Sequence, residues 1–264
     1  LILREAPGTG ERMAVLVVRR LPADFDAMKK KLIAALAPIG LASLLLNLHE
    51  APGSAVLSFA PGATRVLAGA TGIEAKLLDL SFSLGAETFL QVNTPQTPVL
   101  YSLALDRLGI SETDRVLDLY CGVGTLTLLA ARRARKALGI ERVAHSIECA
   151  RANARANQLG NAEFLALPVE KALERDDVKT FAPTLVIADP AYQGLAGGAA
   201  EALGKLMKTS GARRLAYISC NPKSFARDAA VLSASGLRLL SVTPVDMFPG
   251  AMHLEVVGIF EAPA

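Results

Sequence analysis

Three short stretches put reactive side chains beside breaks in regular structure. "YISCNPKSFARD", Tyr217 to Asp228, runs an apolar strand into Cys220, and Asn221, Pro222 and Lys223 then open a helix. Cysteine is among the most buried residue types, so Cys220 reads either as a packing residue or as a nucleophile. The end of a strand at the start of a helix is a place that favours thiolate, because a helix N-terminus carries partial positive charge. "HLEVV" sets Glu255 between apolar residues on a predicted strand. There it either faces solvent or, if buried, becomes a base whose pKa desolvation raises. His253, two residues earlier, falls on the same face of that strand.

The third stretch, "VLDLYCGVGTLTLLAA", places Asp118, Gly122 and Gly124 where a strand ends and a helix begins. Open α/β sheets bind ligands at such a crevice, and the glycines let backbone approach them closely. A tight strand-to-helix turn asks for the same glycines. The third glycine of the dinucleotide fingerprint is absent, Thr127 standing there, which argues against NAD. Glu141, ending the next strand, lies where an acidic residue accepts hydrogen bonds from ribose hydroxyls. The two signals together point to an adenosyl ligand.

The elements that must position these residues alternate from about Ser111 onward. "RVLDLY", "KALGIE", "AEFLAL", "TLVIADP" and "RRLAYIS" read as strands, with helices after the first two and the last two. Strands alternating with helices imply parallel βαβ units and an α/β, doubly wound sheet. "LRLLSVTPVDMF" and "HLEVVGIF" have no helix between them and predict a closing antiparallel pair at the sheet edge. The first part is different. "MAVLVVRR", a helix over 25–37, "ASLLLNLHE" and "TRVLAG" predict a small α+β domain, followed by a bridging helix in "NTPQTPVLYSLALDRLGI". The expected domains are 1–94 and 95–264, and no internal repeat is visible.

The bulk properties narrow the classes. With 264 residues, 52% hydrophobic and 20% charged, the chain has ample material for a core. No apolar run approaches the roughly 18 residues that span a bilayer, and no secretory signal is visible. Three cysteines and three histidines make neither a disulfide framework nor a zinc knuckle, so no metal is expected and a reducing cytoplasm is the expected location. A net charge of +3 is compatible with nucleic acid without being evidence for it.

Four spaced motifs, "FLQVNT", "LDLYCGVGT", "YISCNPKSFARD" and "DMFPGAMHLE", resemble the RNA 5-methyluridine methyltransferase family. It is a branch of the class I S-adenosylmethionine-dependent methyltransferases, with a Rossmann-like fold. The resemblance covers most of the chain from about Thr64. It implies methylation of uridine C5 in structured RNA, ribosomal or transfer, through a cysteine adduct at C6. By this resemblance Cys220 is the nucleophile and Glu255 the base that takes the C5 proton. Gln91, Tyr120, Gly122, Gly124, Thr125, Glu141 and Asp189 are the expected residues for S-adenosylmethionine. Phe89, Tyr192 and His253 are the expected substrate contacts. A monomer acting on RNA away from any membrane is the expected state.

One motif departs from the family. Where the family reads D-P-P-R-x-G, this chain reads "DPAYQG", Asp189 to Gly194, with Ala191 for proline and Tyr192 for arginine. Tyr192 offers an aromatic face to a base. That loop holds no cysteine, unlike the loop of cytosine-C5 RNA methyltransferases, so uracil is the expected base. A non-catalytic RNA-binding relative that keeps the fold is the alternative reading. Lys29 to Lys31, and Arg132 and Arg133 with Arg135, are the basic clusters, each equally readable as a solvated helix face.

Overall fold

A computed structural model describes residues 1–50, 56–60, 62–88, 91, 93–195, 197–251 and 253–263. The chain divides into two compact units, Leu1–Leu90 and Gln91–Ala264.

The first unit opens with β1 (Ile2–Glu5), β2 (Arg12–Val18), α1 (Phe25–Leu36), β3 (Ser43–Leu48) and β4 (Thr64–Gly69). These strands form one sheet in the order β1-β2-β3-β4. β2 and β3 are parallel, so α1 is their crossover, and the outer pairings are antiparallel. Phe25, Leu32, Ile33 and Leu36 of α1 cover a patch of Ala14, Leu44, Leu46 and Leu67 on one face of the sheet. A 3-10 turn at Ala37–Ile39 ends the helix against Pro38 and Gly40. β5 (Ile73–Leu77) and β6 (Leu80–Leu84) pair as a separate hairpin. The mixed pattern of 73–84 is the strict alternation of that hairpin, buried at Ile73, Ala75 and Leu77 and exposed between them.

The second unit begins with α2 (Thr97–Leu108). It continues through β7 (Arg115–Leu119), α3 (Thr125–Ala131), β8 (Lys136–Glu141), α4 (Ala144–Ala156) and β9 (Ala162–Ala166). Then come α5 (Val169–Ala172), α6 (Asp176–Phe181), β10 (Leu185–Ala188), α7 (Ala199–Ser210), β11 (Arg214–Ser219), α8 (Pro222–Ala234), β12 (Arg238–Val245) and β13 (Glu255–Glu261). The seven strands lie in the order β12-β13-β11-β10-β7-β8-β9. All pairings are parallel except those of β13, which runs antiparallel to both β11 and β12. This is the expected doubly wound sheet with its closing antiparallel pair. The two short helices α5 and α6 were not foreseen, and the helix expected to bridge the domains, α2, packs on β11 and β13 of the second unit.

Central strands of such a sheet are covered on both faces, and "LVIA" of β10 is buried at every residue. The edge strand β12 carries Pro244 and exposes Leu239, Leu240 and Val242, as an edge permits. Alternation sorts the faces. Leu117, Leu119, Leu138, Ile140, Val186, Ala188, Leu215, Tyr217, Val256 and Phe260 point into one cluster with α5, α7 and α8. The alternate residues point to the face of α2, α3 and α4.

Candidate active site

The parity that builds the core also builds the site. Asp118, Glu141, Asp189, Cys220 and Glu255 are all out of step with the α5–α8 cluster, so all five belong to the face of α2 and α3. They also share one end of the sheet. Ala188 is in register with both Leu119 and Tyr217, which puts Asp189 at the C-terminal end of the central strands. Ser219 pairs with Val256 at the end of the β11–β13 ladder. Cys220 and Glu255 are therefore the next two residues across an antiparallel pair whose strands lie about 5 Å apart.

Electrostatics follow from that crowding. Glu255 is 2% exposed, and its Oε2 has no hydrogen-bond partner among the described residues. Burial alone raises its carboxyl to about 7. Asp118 is fully buried, accepts the Thr127 hydroxyl at 2.6 Å, and leaves Oδ1 without a partner. Burial pushes it up to about 7 as well. Asp189 is held well above the carboxylate range by burial and then by Glu255 and Asp118. Cys220 is a half-buried free thiol. Its pKa is raised by burial and by the Glu255 and Asp189 carboxylates. The expectation that the strand-to-helix junction favours thiolate is thus corrected. α8 starts only at Pro222, capped by Asn221, whose side chain accepts from the Lys223 amide at 3.0 Å. Burial first, and then two neighbouring acids, raise the thiol of a residue that lies outside the cap.

The glycine loop turns sharply after β7. Tyr120, Gly122 and Gly124 have φ of 65°, 53° and 86°. Gly124 opens α3, and a Cβ there would meet the Phe164 ring at 3.0 Å and Ala150 at 3.1 Å, whereas a Cβ on Gly122 would meet nothing within 4 Å. One glycine thus serves packing, and the other leaves open space beside the loop. The left-handed Tyr120 breaks strand alternation, and its ring packs on the α5–α8 cluster. Burial there pushes its phenol up to about 12, with Glu170 the next cause. Thr125 is the buried first residue of α3. Glu141 ends β8 and accepts the Val143 amide at 2.9 Å through Oε1.

Gln91 is buried and hydrogen-bonds the Tyr101 phenol of α2. Asn93 accepts the Gln96 amide at 3.2 Å, a turn role, and its amide donates to the Met247 carbonyl at 3.0 Å. That second bond ties "FLQVNT" to "DMFPG". His253 is exposed and precedes β13, so the same-face relation with Glu255 does not hold; its ring lies edge-on to Phe248. Tyr192 is 58% exposed and stands apart from the acid cluster. Phe89 lies outside the described residues. Tyr101 escaped the sequence reading. It sits at core spacing among Leu100, Ala104, Leu105 and Leu108, and only the fold brings its phenol near Asp189 and Glu255.

Comparison with known proteins agrees with this architecture. The model of a family described as tRNA (uracil-5-)-methyltransferase matches residues 73–262. An uncharacterized RNA methyltransferase of Lactiplantibacillus plantarum is 33% identical over 264 residues, covering 99% of this chain and 56% of that protein. Another, of Lactococcus lactis, is 34% identical over 262 residues, covering 98% and 55%. The chain spans about half the length of these curated relatives. Among solved structures, the tRNA (uracil-54, C5)-methyltransferase of Pyrococcus abyssi, in complex with S-adenosyl-L-homocysteine, superposes with a TM-score of 0.74. It is 25% identical, and the match covers 98% of this chain and 58% of that one. With the family match extending over well more than half of its residues, the chain belongs to the tRNA (uracil-5-)-methyltransferase family.

Proposed function

We propose that the chain methylates C5 of uridine in structured RNA, ribosomal or transfer, with S-adenosylmethionine as methyl donor. The observation that carries this reading is that Cys220 and the buried Glu255, whose Oε2 has no partner among the described residues, take the next opposed positions beyond the β11–β13 ladder. A nucleophile beside a carboxylate of raised pKa suits a carbon that must first be activated and then lose a proton.

The residues present fit the cofactor. Among the described residues Asp118 Oδ1 is a buried acceptor lacking a donor, and the space beside Gly122 is open. Gln91, Gly122, Gly124, Thr125 and Glu141 would hold it, Glu141 through ribose hydroxyls, with Asp189 between it and the base. When bound, S-adenosylmethionine supplies an electrophilic methyl. The chain's own residues do the rest. The Cys220 thiol first gives up its proton to solvent; the thiolate sulfur then bonds to C6 of uracil, and the electrons of the C5–C6 double bond move toward C5 and O4. C5 is then nucleophilic enough to accept the methyl. The Glu255 carboxylate takes the C5 proton, the double bond re-forms, and the C6–S bond breaks to release the thiolate. Asp189, its carboxyl pushed up by burial and then by Glu255 and Asp118, faces the base from the end of β10 in this reading. The small unit and the exposed Lys30 and Lys31 of α1 are candidate contacts for the rest of the RNA. Arg133 is already engaged with Asp106. The protein acts as a monomer in the cytoplasm in this reading.

Transfer of labelled methyl from S-adenosylmethionine to unmodified total RNA tests the proposal. Label is expected as 5-methyluridine with the parent chain and to vanish with Cys220→Ala. Cofactor binding without transfer to any RNA would favour the non-catalytic RNA-binding reading, which the Ala191 and Tyr192 departures motivate.

A further inference from the structure

A cavity of about 600 Å³ lies beside the site and does not include Cys220, Asp189 or Glu255. Its walls are Tyr192 and Gln193 from the loop after β10, and Asn221, Lys223, Ser224 and Arg227 from the first turns of α8. Asn221, on the cavity wall, is the residue that directly follows Cys220 in the chain.

The loop is built to hold Tyr192 outward. Its backbone carbonyl accepts both the Asn221 amide and the Ser224 hydroxyl at 3.2 Å. The Gln193 carbonyl accepts Arg227 Nη2 at 2.6 Å. Asp228, 1% exposed, gathers the rest: Oδ2 accepts the Leu195 amide at 2.7 Å and the Tyr217 hydroxyl at 2.6 Å, while Oδ1 accepts Arg227 Nε at 2.8 Å. Gly194, with φ of +75°, makes the approach possible, since a Cβ there would lie 2.3 Å from Asp228 Oδ2. The bonds to the Tyr192 and Gln193 carbonyls and from the Leu195 amide fix the loop backbone, and the Tyr192 side chain stays exposed. Arg227 and Asp228 neutralise each other, whereas the exposed Lys223 has no ion-pair partner among the described residues.

An exposed aromatic ring and one ammonium without an ion-pair partner among the described residues, lining one open cavity, match a nucleotide: a base for the ring and a phosphate for the cation. We propose that Tyr192 and Lys223 form a subsite for an RNA nucleotide flanking the target uridine, the Tyr192 ring stacking on its base and Lys223 meeting its phosphate. The subsite rests on the reading under Proposed function and adds the grip on the neighbouring nucleotide. Tyr192 is a binding residue here, distinct from the groups that touch the reacting carbons.

The test measures anisotropy of a fluorescein-labelled single-stranded oligouridylate with the parent, Tyr192→Ala, Tyr192→Phe and Lys223→Gln, with S-adenosylhomocysteine binding as a control for folding. Tyr192→Ala is expected to weaken RNA binding about tenfold, with Tyr192→Phe close to the parent and the control unchanged. Lys223→Gln is expected to lower the slope of log affinity against log salt by about one. Parent-like binding by Tyr192→Ala would overturn the subsite and leave the methylation proposal standing. Failure of the parent to bind RNA at all would overturn both.

Discussion

Asp114 and Asp118 lie four residues apart at opposite ends of β7, both at or below 2% exposure, yet their surroundings drive them in opposite directions. Asp114 accepts the Ser111 amide and hydroxyl at 2.8 Å, the Thr184 hydroxyl at 2.7 Å, and both ends of the Arg213 guanidinium. Arg213, first among these donors, holds its carboxyl well below the usual range. Asp118 has one hydroxyl donor, and burial lifts it to about 7. At one end of the sheet the acid is saturated with donors and fastens β7 to the start of β11. At the other end, acids and a thiol crowd together with oxygens left open. Such a cluster is costly for the fold alone, and in the proposed function a ligand supplies the missing partners. The sheet thus separates a stability end from a chemistry end.

That contrast is open to attack in order of effect. Glu255→Gln is expected to lower methyl transfer by about 10²–10⁴-fold with little change in melting temperature. A large loss of stability instead would make Glu255 a structural acid and erase the division. The reverse holds for Asp114→Asn, expected to cost about 2–3 kcal/mol in urea unfolding while kcat of the remaining folded protein stays near the parent value. Asp118→Asn is expected to stabilise the protein above pH 7 on the order of 1 kcal/mol, read by thermal melts across pH. The sign follows from the raised acids. Asp118 and Glu255 bind protons more tightly folded than unfolded, so their contribution is full below about pH 4 and is lost as pH rises through about 7. Asp114 contributes in the opposite sense, in full above about pH 4 and lost progressively as pH falls below that. Smallest and most diagnostic is the rate profile. Transfer is expected to climb through about pH 7 as Glu255 ionises and to keep climbing as the raised Cys220 thiol ionises, without a falling alkaline limb.

Much of this was legible in the residues. Strand and helix periods gave the doubly wound sheet, and the missing helix after β12 gave the antiparallel pair. The positions of Asp118, Glu141, Asp189 and Cys220 at strand ends followed from local pattern. What escaped was what only long-range packing decides. Tyr101 looks like any core aromatic until α2 lies against β11 and β13. His253 looks like a strand residue until β13 is seen to begin at Glu255. The raised Cys220 thiol depends on burial and then on two carboxylates brought in from elsewhere in the sheet, which no local reading of a strand-to-helix junction contains. The hairpin of β5 and β6 hid because Leu78 and Asp79 make its turn without glycine, with Leu78 at φ of 54°.

The measurement that bears most directly on the chemistry end is trapping with RNA carrying 5-fluorouridine and S-adenosylmethionine, read by denaturing gels and peptide mass spectrometry. Fluorine cannot leave as a proton, so the adduct should persist as methylated 5-fluorouridine bonded through C6 to Cys220, and Cys220→Ala should form none. An adduct at Cys121 or Cys149, or methylation of ordinary RNA with no trapped adduct, would contradict the assignment of Cys220.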